Sequence, residues 1–394
     1  MKNICFITQC SLPVPTVKGG AVETLVEYLL LENEKTGKYN FTVISIEDDE
    51  AIKQSNNYKY TNFVYVKNHN KTINRILLFA YRVLKHLKIN IPFSLEFWSG
   101  LKLLKKIQNQ DLFIYEAGPT TQIPRISKIV GKDNLYVHLH WDGMGDKQKD
   151  ACFSKLISIS EYIGNQWLKA TNCDSSKIEV LPNCVNINSF SKCISIDEKN
   201  KIKEQLKIPT QNKVIIFTGR IVQDKGVKEL LEAFNQIDAK NVTLLIVGSS
   251  NFGDTTNTPY EREVESIIKK SKKQVIAMGY VHHSQLYKYY SIADISVMPS
   301  IFQEPAGLVA LEAQITGTPL IATRVGGIPE YVTEETTILV NRDDKLSISL
   351  KEKIDELLED DNLREGMSRK GKEYASVFST EEYYNNFSSI VNNI

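Results

Sequence analysis

Apolar runs and amphipathic stretches alternate along the whole chain. In the first half, runs rich in apolar residues predict strands at 4–8, 42–46, 63–66, 112–115, 135–139 and 155–158. In the second half, similar runs predict strands at 214–218, 243–247, 275–278, 295–298, 319–322 and 337–339. A helix is predicted over 21–33, where Val22, Leu25, Val26 and Leu29 recur at helical spacing. The alternation predicts an α/β protein with parallel sheets.

Length and composition divide this pattern into two domains. A chain of 394 residues exceeds what one hydrophobic core usually serves. The polar, turn-rich stretch 181–190 and the charged segment 196–207 predict a linker near 183–211. We therefore place the domains at 1–190 and 208–379. The content of 42% apolar residues is typical of a globular protein. The net charge of +1 gives no overall electrostatic attraction to nucleic acid.

Cysteine usage and the N-terminus bear on the compartment. The six cysteines form no Cys-x-x-Cys pair and no zinc-type spacing, which favours a reducing cytoplasm. The segment from Met1 to Thr8 is too short for the apolar core of a signal peptide. No stretch approaches the ~20 apolar residues of a membrane span. We expect neither secretion nor integral membrane insertion.

Two glutamates, Glu304 and Glu312, are separated by seven residues across a predicted loop and the start of a helix. Ala306, Gly307 and Leu308 fall where that helix begins, so their backbone N–H groups are placed to meet an anion. One carboxylate then suits sugar hydroxyls and the other suits ribose hydroxyls, as a nucleotide-sugar requires. The alternative is an ordinary helix start with acidic surface residues.

Two cations follow the predicted strand at 214–217. Arg220 and Lys225 stand in the sequence Gly-Arg-Ile-Val-Gln-Asp-Lys-Gly, and together they can neutralise a diphosphate at the end of a strand. The alternative for each is an exposed loop charge. The paired glutamates downstream, and Gly19-Gly20 near the N-terminus, favour the phosphate interpretation.

These motifs resemble those of a known family. Together with Gly-Thr-Pro at 317–319 and Gly-Gly-Ile-Pro-Glu at 326–330, they look like the donor-binding half of the family-4 retaining glycosyltransferases, of bacterial surface-polysaccharide type. The resemblance is dense over 214–340 and thinner over 1–181. It implies the GT-B fold, in which two Rossmann-like parallel-sheet domains face each other across a cleft. The domain 1–190 would bind the acceptor and be joined by a last helix at 380–394, and the domain 208–379 would bind the donor.

The resemblance also assigns roles to residues. Glu304 would grip the donor sugar as a catalytic residue, and Glu312 would hold the ribose. His282 and His283 would be exposed loop residues. Many relatives have an aromatic residue at the position of Ala306, which weakens any inference about the sugar. The remaining donor contacts implied are the diphosphate neighbour Gly20, the cations Arg220 and Lys225, the backbone of Gly307, Leu308 and Val309, and the nucleobase loop at Tyr280 and Val281.

A second candidate lies in Leu-Tyr-Val-His-Leu-His-Trp-Asp-Gly at 135–143. Because side chains alternate along a strand, His138 and His140 point to the same side of the sheet. His140 matches a loop histidine of related transferases, and we predict that it is catalytic, touching a sugar hydroxyl or phosphate. We interpret His138 as a packed strand residue. Asp142 is either a helper base or a turn residue.

No metal or other cofactor is expected. Many transferases hold a divalent cation through an Asp-x-Asp triplet, and the sequence contains none. Arg220, Lys225 and the amides after Pro305 would stabilise the departing diphosphate instead.

Charge is segregated between Glu50 and Glu96, where there are many basic residues and no acidic one. A helix predicted at 73–87 places Leu78 and Phe79 among basic residues, as in a helix that lies on an anionic membrane. A buried helix with a basic rim is the alternative, and nucleic-acid binding is a weaker third.

The predicted function is metal-independent, retaining transfer of a hexose from a nucleotide-sugar, taken as UDP-linked, to a hydroxyl of a lipid-linked saccharide. We expect the protein to attach peripherally to the cytoplasmic face of the cell membrane. There it would act in the synthesis of capsule or a similar surface glycan. Two alternatives stay open. One is a soluble nucleotide-sugar enzyme of the same fold, an epimerase or sugar-phosphate transferase. The other is a non-catalytic nucleotide-sugar-binding subunit. Gly19-Gly20 is not part of a Gly-x-Gly-x-x-Gly turn, which argues against a dehydrogenase.

Overall fold

A computed structural model describes residues 1–67, 95–107, 109–116, 118–143, 145–249 and 258–392. The chain divides into two compact units. The first unit comprises Met1–Pro182 and Thr380–Ile394, and the second comprises Asn183–Ser379. The basic helix predicted at 73–87 lies outside the described residues.

The first unit is built on a seven-stranded parallel sheet with the order β3-β2-β1-β4-β5-β6-β7. Its strands are β1 (Lys2–Ile7), β2 (Tyr39–Ile46), β3 (Thr61–Val66), β4 (Leu112–Glu116), β5 (Leu135–Leu139), β6 (Lys155–Ser158) and β7 (Ile178–Val180). Six of these overlap the predicted strands, and β1 ends one residue before the predicted end at Thr8. The edge strand β7 escaped prediction because its three residues are too few to show a periodic pattern.

The second unit holds a six-stranded parallel sheet with the order β10-β9-β8-β11-β12-β13. Its strands are β8 (Lys213–Thr218), β9 (Val242–Val247), β10 (Gln274–Ala277), β11 (Ile295–Met298), β12 (Leu320–Thr323) and β13 (Thr337–Val340). All six overlap the predicted strands. The chain runs outward from β8 to β10 and then returns to β11 on the other side of β8. This reversal makes the gap between β8 and β11 the switch point of the sheet, where ligands of such folds bind.

Helices cover the sheets, as apolar stripes at helical spacing require. Those of the first unit are α1 (Ala21–Thr36), α2 (Asp49–Ser55), α3 (Leu95–Leu104), α4 (Ile123–Val130), α5 (Lys147–Asp150), α6 (Glu161–Thr171) and, at the chain's end, α15 (Thr380–Asn392). Those of the second unit are α7 (Ile187–Phe190), α8 (Ile196–Gln205), α9 (Val227–Gln236), α10 (Pro259–Lys270), α11 (Leu286–Ser291), α12 (Leu308–Thr316), α13 (Leu346–Glu359) and α14 (Asp361–Ala375). Short 3-10 turns occur at Thr120–Gln122, Ser175–Lys177, Gln223–Lys225, His283–Gln285, Ile328–Tyr331 and Ser376–Phe378.

The segment 183–190 was predicted to belong to the first domain, and it lies in the second unit. Backbone hydrogen bonds explain the difference. Val185 N donates to Phe378 O at 2.9 Å, and Asn183 N donates to the Tyr331 hydroxyl at 2.9 Å. The side chain of Phe190 is buried in the core of the second unit. The turn-rich composition of this segment shows a chain reversal but not the unit on which the segment packs.

The last helix, α15, packs within the first unit through aromatic contacts. The Phe387 ring lies 5.9 Å from Phe6 and 6.3 Å from Phe41, measured between centroids. The Tyr384 hydroxyl donates to Asn33 Oδ1 at 2.8 Å. Residues from the end of the chain therefore complete the core around β1 and β2. No helix in the described part of the chain is long and apolar enough to cross a membrane.

Candidate functional site

The first part of the candidate site lies at the carboxyl ends of β8 and β11. Lys225 Nζ lies 2.5 Å from Glu304 Oε1, and the Ser300 hydroxyl donates to the same oxygen at 2.5 Å. Glu304 is 5% exposed. The structure thus brings together the cation and the carboxylate that the sequence assigned to diphosphate and sugar.

Backbone contacts fix the two loops that carry these residues. Gly226 has φ +68°, and a Cβ there would collide with the carbonyl oxygen of Pro299. Ile301 N also donates to Asp224 O at 2.9 Å. The glycine after Lys225 is therefore required both for its left-handed backbone and for the close approach of the neighbouring loop.

A third loop braces the glutamate. Gly327 N donates to Glu304 O at 2.7 Å, and Gly326 N donates to Gln303 Oε1 at 2.6 Å. Gly326 has φ +54°, and a Cβ there would overlap the backbone of Glu304. The Gly-Gly of the sequence motif thus positions the loop that carries Glu304.

The helix α12 begins at Leu308, with Gly307 at its N-cap. No side chain caps this end, and Leu311 N makes the first intrahelical bond, to Gly307 O. The N–H groups of the first turn, including those of Leu308 and Val309, therefore point out of the helix toward its N-terminus. Such an end attracts an anion.

Glu312, one turn further along α12, is already paired. His283 Nε2 lies 2.7 Å from Glu312 Oε1, and the buried Tyr290 hydroxyl donates to Glu312 Oε2 at 3.4 Å. His283 is an exposed loop residue as predicted, with 46% of its side chain exposed, and its pairing with Glu312 is an additional finding of the structure. Burial lowers the pKa of His283, but the charge and hydrogen bond of Glu312 outweigh it and raise that pKa above its ordinary value.

The other predicted donor residues lie around the same edge of the sheet. Arg220 is exposed just after β8. Tyr280, which is 42% exposed, and Val281 follow β10, and Val281 packs partly against the core. His282 is exposed, as predicted.

A second cluster lies in the first unit, at the carboxyl ends of β4 and β5. Glu116 Oε2 lies 3.0 Å from His138 Nδ1 and 2.8 Å from His140 Nε2. The two imidazole rings are 4.0 Å apart between centroids. Both histidines contact one carboxylate, which confirms that they point to the same side of the sheet. Glu116 is 1% exposed.

The electrostatics of this cluster favour an ionised glutamate beside a neutral His140. Burial raises the pKa of Glu116, but the charges and hydrogen bonds of the two histidines outweigh it and lower the pKa to about 2. Burial, and then the charge of His138, lower the pKa of His140 to about 4 despite Glu116. Among the described residues, Glu116 Oε1 and His138 Nε2 have no hydrogen-bond partner.

Gly20 caps the start of α1, as the predicted diphosphate contact requires, but its surroundings are acidic. A Cβ at Gly20 would collide with the carboxylate of Glu23, which is buried. Burial raises the pKa of Glu23 to about 7, and the charge of Glu116 adds to the rise, against a hydrogen bond from its own backbone N–H. A carboxylate therefore occupies the space beside Gly20.

Comparison with known proteins identifies the half of the chain that carries the first cluster. Residues 198–374, which are less than half of the 394-residue chain, match the profile of the family described as glycosyl transferases group 1. Over 183 residues the chain is 31% identical to MJ1607 of Methanocaldococcus jannaschii, described as an uncharacterized glycosyltransferase, covering 46% of this chain and 45% of that one. It is 31% identical over 250 residues to the capsular polysaccharide biosynthesis glycosyltransferase CapM of Staphylococcus aureus, covering 61% of this chain and 62% of CapM. The chain thus spans less than two thirds of either relative's length.

Solved structures extend the likeness to both units. Anabaena Alr3699/HepE, solved in complex with UDP-glucose, matches with a TM-score of 0.76 over 100% of both chains, at 18% identity. This likeness shows the fold alone, two Rossmann-like parallel-sheet domains like those of GT-B glycosyltransferases. The residues that match the family, 198–374, include Lys225, Glu304 and Glu312.

Three residues of these clusters were missed by sequence reasoning. Ser300 and Glu116 each follow or end a predicted strand, at the edge where ligands bind, so their position in the sequence was the available signal. His283 carried no such signal, because its partner Glu312 is 29 residues away and meets it only through the fold.

Proposed function

We propose that this chain is a retaining glycosyltransferase that moves a hexose from a UDP-sugar to a hydroxyl of a lipid-linked saccharide in cell-surface glycan synthesis. The observation that carries the proposal is the cluster of Lys225, Glu304 and Ser300 at the switch point of the second sheet. The uncapped N-terminus of α12 follows in the same loop. Cation, carboxylate and free amides are the groups that a sugar linked to a diphosphate requires.

The diphosphate would bind to Arg220, Lys225 and the first amides of α12. Arg220 is exposed and has no ion pair within the described residues, so its guanidinium is available for a bidentate phosphate contact. Lys225 is neutralised by Glu304 here. Negative charge on a departing diphosphate would draw Lys225 toward phosphate, and positioned donors of this kind stabilise the charge as the bond breaks. We propose that no metal is needed at the diphosphate.

Glu304 would act on the sugar. Its Oε1 accepts from Lys225 and Ser300, so Oε2 is the atom offered to a sugar hydroxyl. A fixed carboxylate also stabilises positive charge that develops at the anomeric carbon. In the proposed reaction, the bond from that carbon to the diphosphate oxygen breaks, and the acceptor oxygen bonds to the same face. The acceptor's proton passes to the departing diphosphate.

Glu312 would hold the ribose, with Tyr280 and Val281 beside the base. His283 occupies Glu312 Oε1 at 2.7 Å, so we infer that it shares or yields this oxygen when the ribose binds. Support for uracil comes from Anabaena Alr3699/HepE, whose structures were solved in complex with UDP-glucose and with UDP.

The first unit would bind the acceptor. His140 is the residue we assign to a sugar hydroxyl or phosphate, and its neutral imidazole can donate or accept. Support for a surface glycan comes from CapM, described as acting in capsular polysaccharide biosynthesis. Support for peripheral attachment to the inner membrane face comes from the sequence 51–95, which holds no acidic residue. Co-sedimentation with anionic vesicles should weaken in an Arg75→Glu, Arg82→Glu, Lys85→Glu variant, and equal sedimentation would contradict attachment.

A panel of nucleotide-sugars tests the donor. We expect a UDP-sugar to raise the melting temperature of the full chain, because a ligand that binds the native state stabilises it. With that donor and a lipid-linked saccharide, UDP should be released and the product should keep the anomeric configuration, read by proton NMR. Inversion would contradict retention, and stimulation by added Mg²⁺ or Mn²⁺ would contradict metal independence. Donor turnover to an epimer without transfer would support the epimerase alternative.

A further inference from the structure

We propose that Glu116, His138 and His140 form a binding site for a transition-metal ion of the Zn²⁺ type. The site lies in the first unit, whereas the residues proposed above to bind the diphosphate belong to the second. It does not rest on the proposed function, because the three residues would bind the ion whatever reaction the chain performs.

The sheet places the three side chains on one face. Strand β5 pairs with β4 in parallel register, with Glu116 opposite His138. His140 follows two positions later, so its side chain returns to the same side. His138 near the end of β5, His140 directly after that strand and Glu116 at the end of β4 therefore converge at one edge of the sheet. Ligands held by paired strands are fixed in position before an ion arrives.

The distances suit an ion of this size. One ring nitrogen of His138, one ring nitrogen of His140 and one oxygen of Glu116 all lie within 4.8 Å of one another. Zn²⁺ binds nitrogen and oxygen at about 2.0–2.2 Å, so tetrahedral ligands lie about 3.4 Å apart. The present separations from Glu116 Oε2 are 3.0 and 2.8 Å. An opening of a few tenths of an ångström, which a carboxylate rotation supplies, would admit the ion.

Hydrogen bonding within the cluster leaves it incomplete. Both histidines contact Oε2 of Glu116, while Oε1 is buried and has no partner in the described part of the chain. An unpaired buried carboxylate oxygen is costly. No lysine or arginine among the described residues pairs with Glu116. A cation chelated by both carboxylate oxygens would satisfy Oε1 and supply the missing positive charge.

The donor set selects the class of ion. Two imidazoles and one carboxylate suit Zn²⁺, and also Co²⁺ or Ni²⁺, whereas Mg²⁺ and Ca²⁺ prefer sites made of oxygen alone. Three protein ligands leave a coordination position open for water or another oxygen ligand. Binding through Nε2 of His140 leaves Nδ1, on the other edge of the ring, outside the coordination sphere.

Zn²⁺ binding to the full-length chain tests the site. After the protein is stripped with a chelator and dialysed, Zn²⁺ is titrated in competition with a chromophoric chelator. We expect one ion per chain with a Kd on the order of 1 μM or tighter. Glu116→Gln and His140→Gln should each weaken binding by at least about tenfold. The matched control is His282→Gln, which removes an exposed histidine outside the cluster and should not change the affinity.

Cobalt distinguishes this site from the six cysteines of the chain. Co²⁺ bound by imidazole and carboxylate lacks the strong near-ultraviolet charge-transfer band that thiolate ligands give. Affinity that is equal in wild type, Glu116→Gln and His140→Gln would overturn the proposal, as would a thiolate band or no binding at micromolar Zn²⁺. Circular dichroism checks the fold of each variant. If Glu116→Gln does not fold, His140→Gln alone decides.

Discussion

The two units use the same architecture, a parallel sheet whose carboxyl edge carries the candidate site residues, but the charges at that edge are opposite in the two units. In the second unit, Lys225 pairs with Glu304 in the loop that precedes the uncapped N-terminus of α12, and Arg220 is exposed just after β8. In the first unit, the corresponding edge holds the buried carboxylates of Glu23 and Glu116. The fold provides a binding edge in both units, and the charges decide that the second is suited to an anion and the first to a cation or neutral hydroxyls.

The largest effect expected from this comparison is on Glu304. Glu304→Gln should lower turnover by roughly 100- to 1,000-fold, as loss of a positioned electrostatic group does. The affinity for UDP should stay within about threefold of the wild-type value. The substituted amide does not form an ion pair with Lys225, so Lys225 remains available to phosphate. Glu312→Gln, the matched variant on α12, should weaken UDP binding itself. Steady-state kinetics measures turnover and calorimetry measures UDP affinity. Equal losses of UDP affinity in the two variants would contradict this division of roles.

Replacing its basic residues tests whether the second unit binds an anion. Replacing both Arg220 and Lys225 with Ala should weaken UDP binding by roughly 100-fold or more, since two charge-assisted hydrogen bonds are lost. Lys228→Ala is the control, because Lys228 is nearby on α9 but pairs with Glu263 on the surface. Calorimetry reads the affinity. If the double variant binds UDP like the control, the phosphate lies elsewhere.

The acidic character of the first unit has a cost in stability at neutral pH. The folded pKa of Glu23 is about 7 against an ordinary 4.5, so the folded state loses stability as pH rises through this window. Glu23→Gln should therefore raise the free energy of unfolding by on the order of 1–3 kcal/mol at pH 8 and hardly change it at pH 4. Denaturant titrations at both pH values measure this. Glu50→Gln, at an exposed position on α2, should show no such difference, and a pH-independent gain for Glu23→Gln would contradict the assignment.

The smallest effect concerns His283. Its folded pKa is raised by Glu312, so its stabilising pairing is present below pH ~6.5 and is lost as pH rises through the raised pKa. His283→Gln should thus lower the melting temperature more at pH 6 than at pH 9. The difference is below about 1 kcal/mol, because the half-exposed histidine is screened by solvent. Scanning calorimetry measures the difference in melting temperature between wild type and His283→Gln. A difference that grows as the pH rises would contradict the prediction.

The sequence predicts the repetitive part of this structure well. Every strand of the second sheet and six of the seven in the first follow from short apolar runs, because a strand buried on both faces needs continuous apolar residues. The start of α12 at Leu308 also follows from the sequence, since Pro305 and Gly307 precede an amphipathic run. Local chemistry was sufficient in these places.

Pairings between distant side chains were not predictable in the same way. Glu116 meets His138 through strand register, and His283, in the 3-10 turn after β10, meets Glu312 on α12. Each histidine was correctly predicted to belong to a strand or a loop, but no periodicity encodes which carboxylate lies opposite. The acidic surroundings of Gly20 were missed for a related reason. In the sequence, Glu23 is an ordinary acidic residue in the first turn of a helix, and only the fold shows that it is buried.

The return of α15 to the first unit has a consequence for synthesis on the ribosome. Phe6, Phe41 and Tyr39 emerge early, but their packing partner Phe387 is translated only after the whole second unit. At ribosomal rates of about 5–20 residues per second, the stretch Asn183–Ser379 delays this partner by roughly 10–40 s. The nascent first unit therefore waits with an uncovered aromatic surface, a natural target for chaperones. The second unit, contiguous in sequence, is the first that can complete its core.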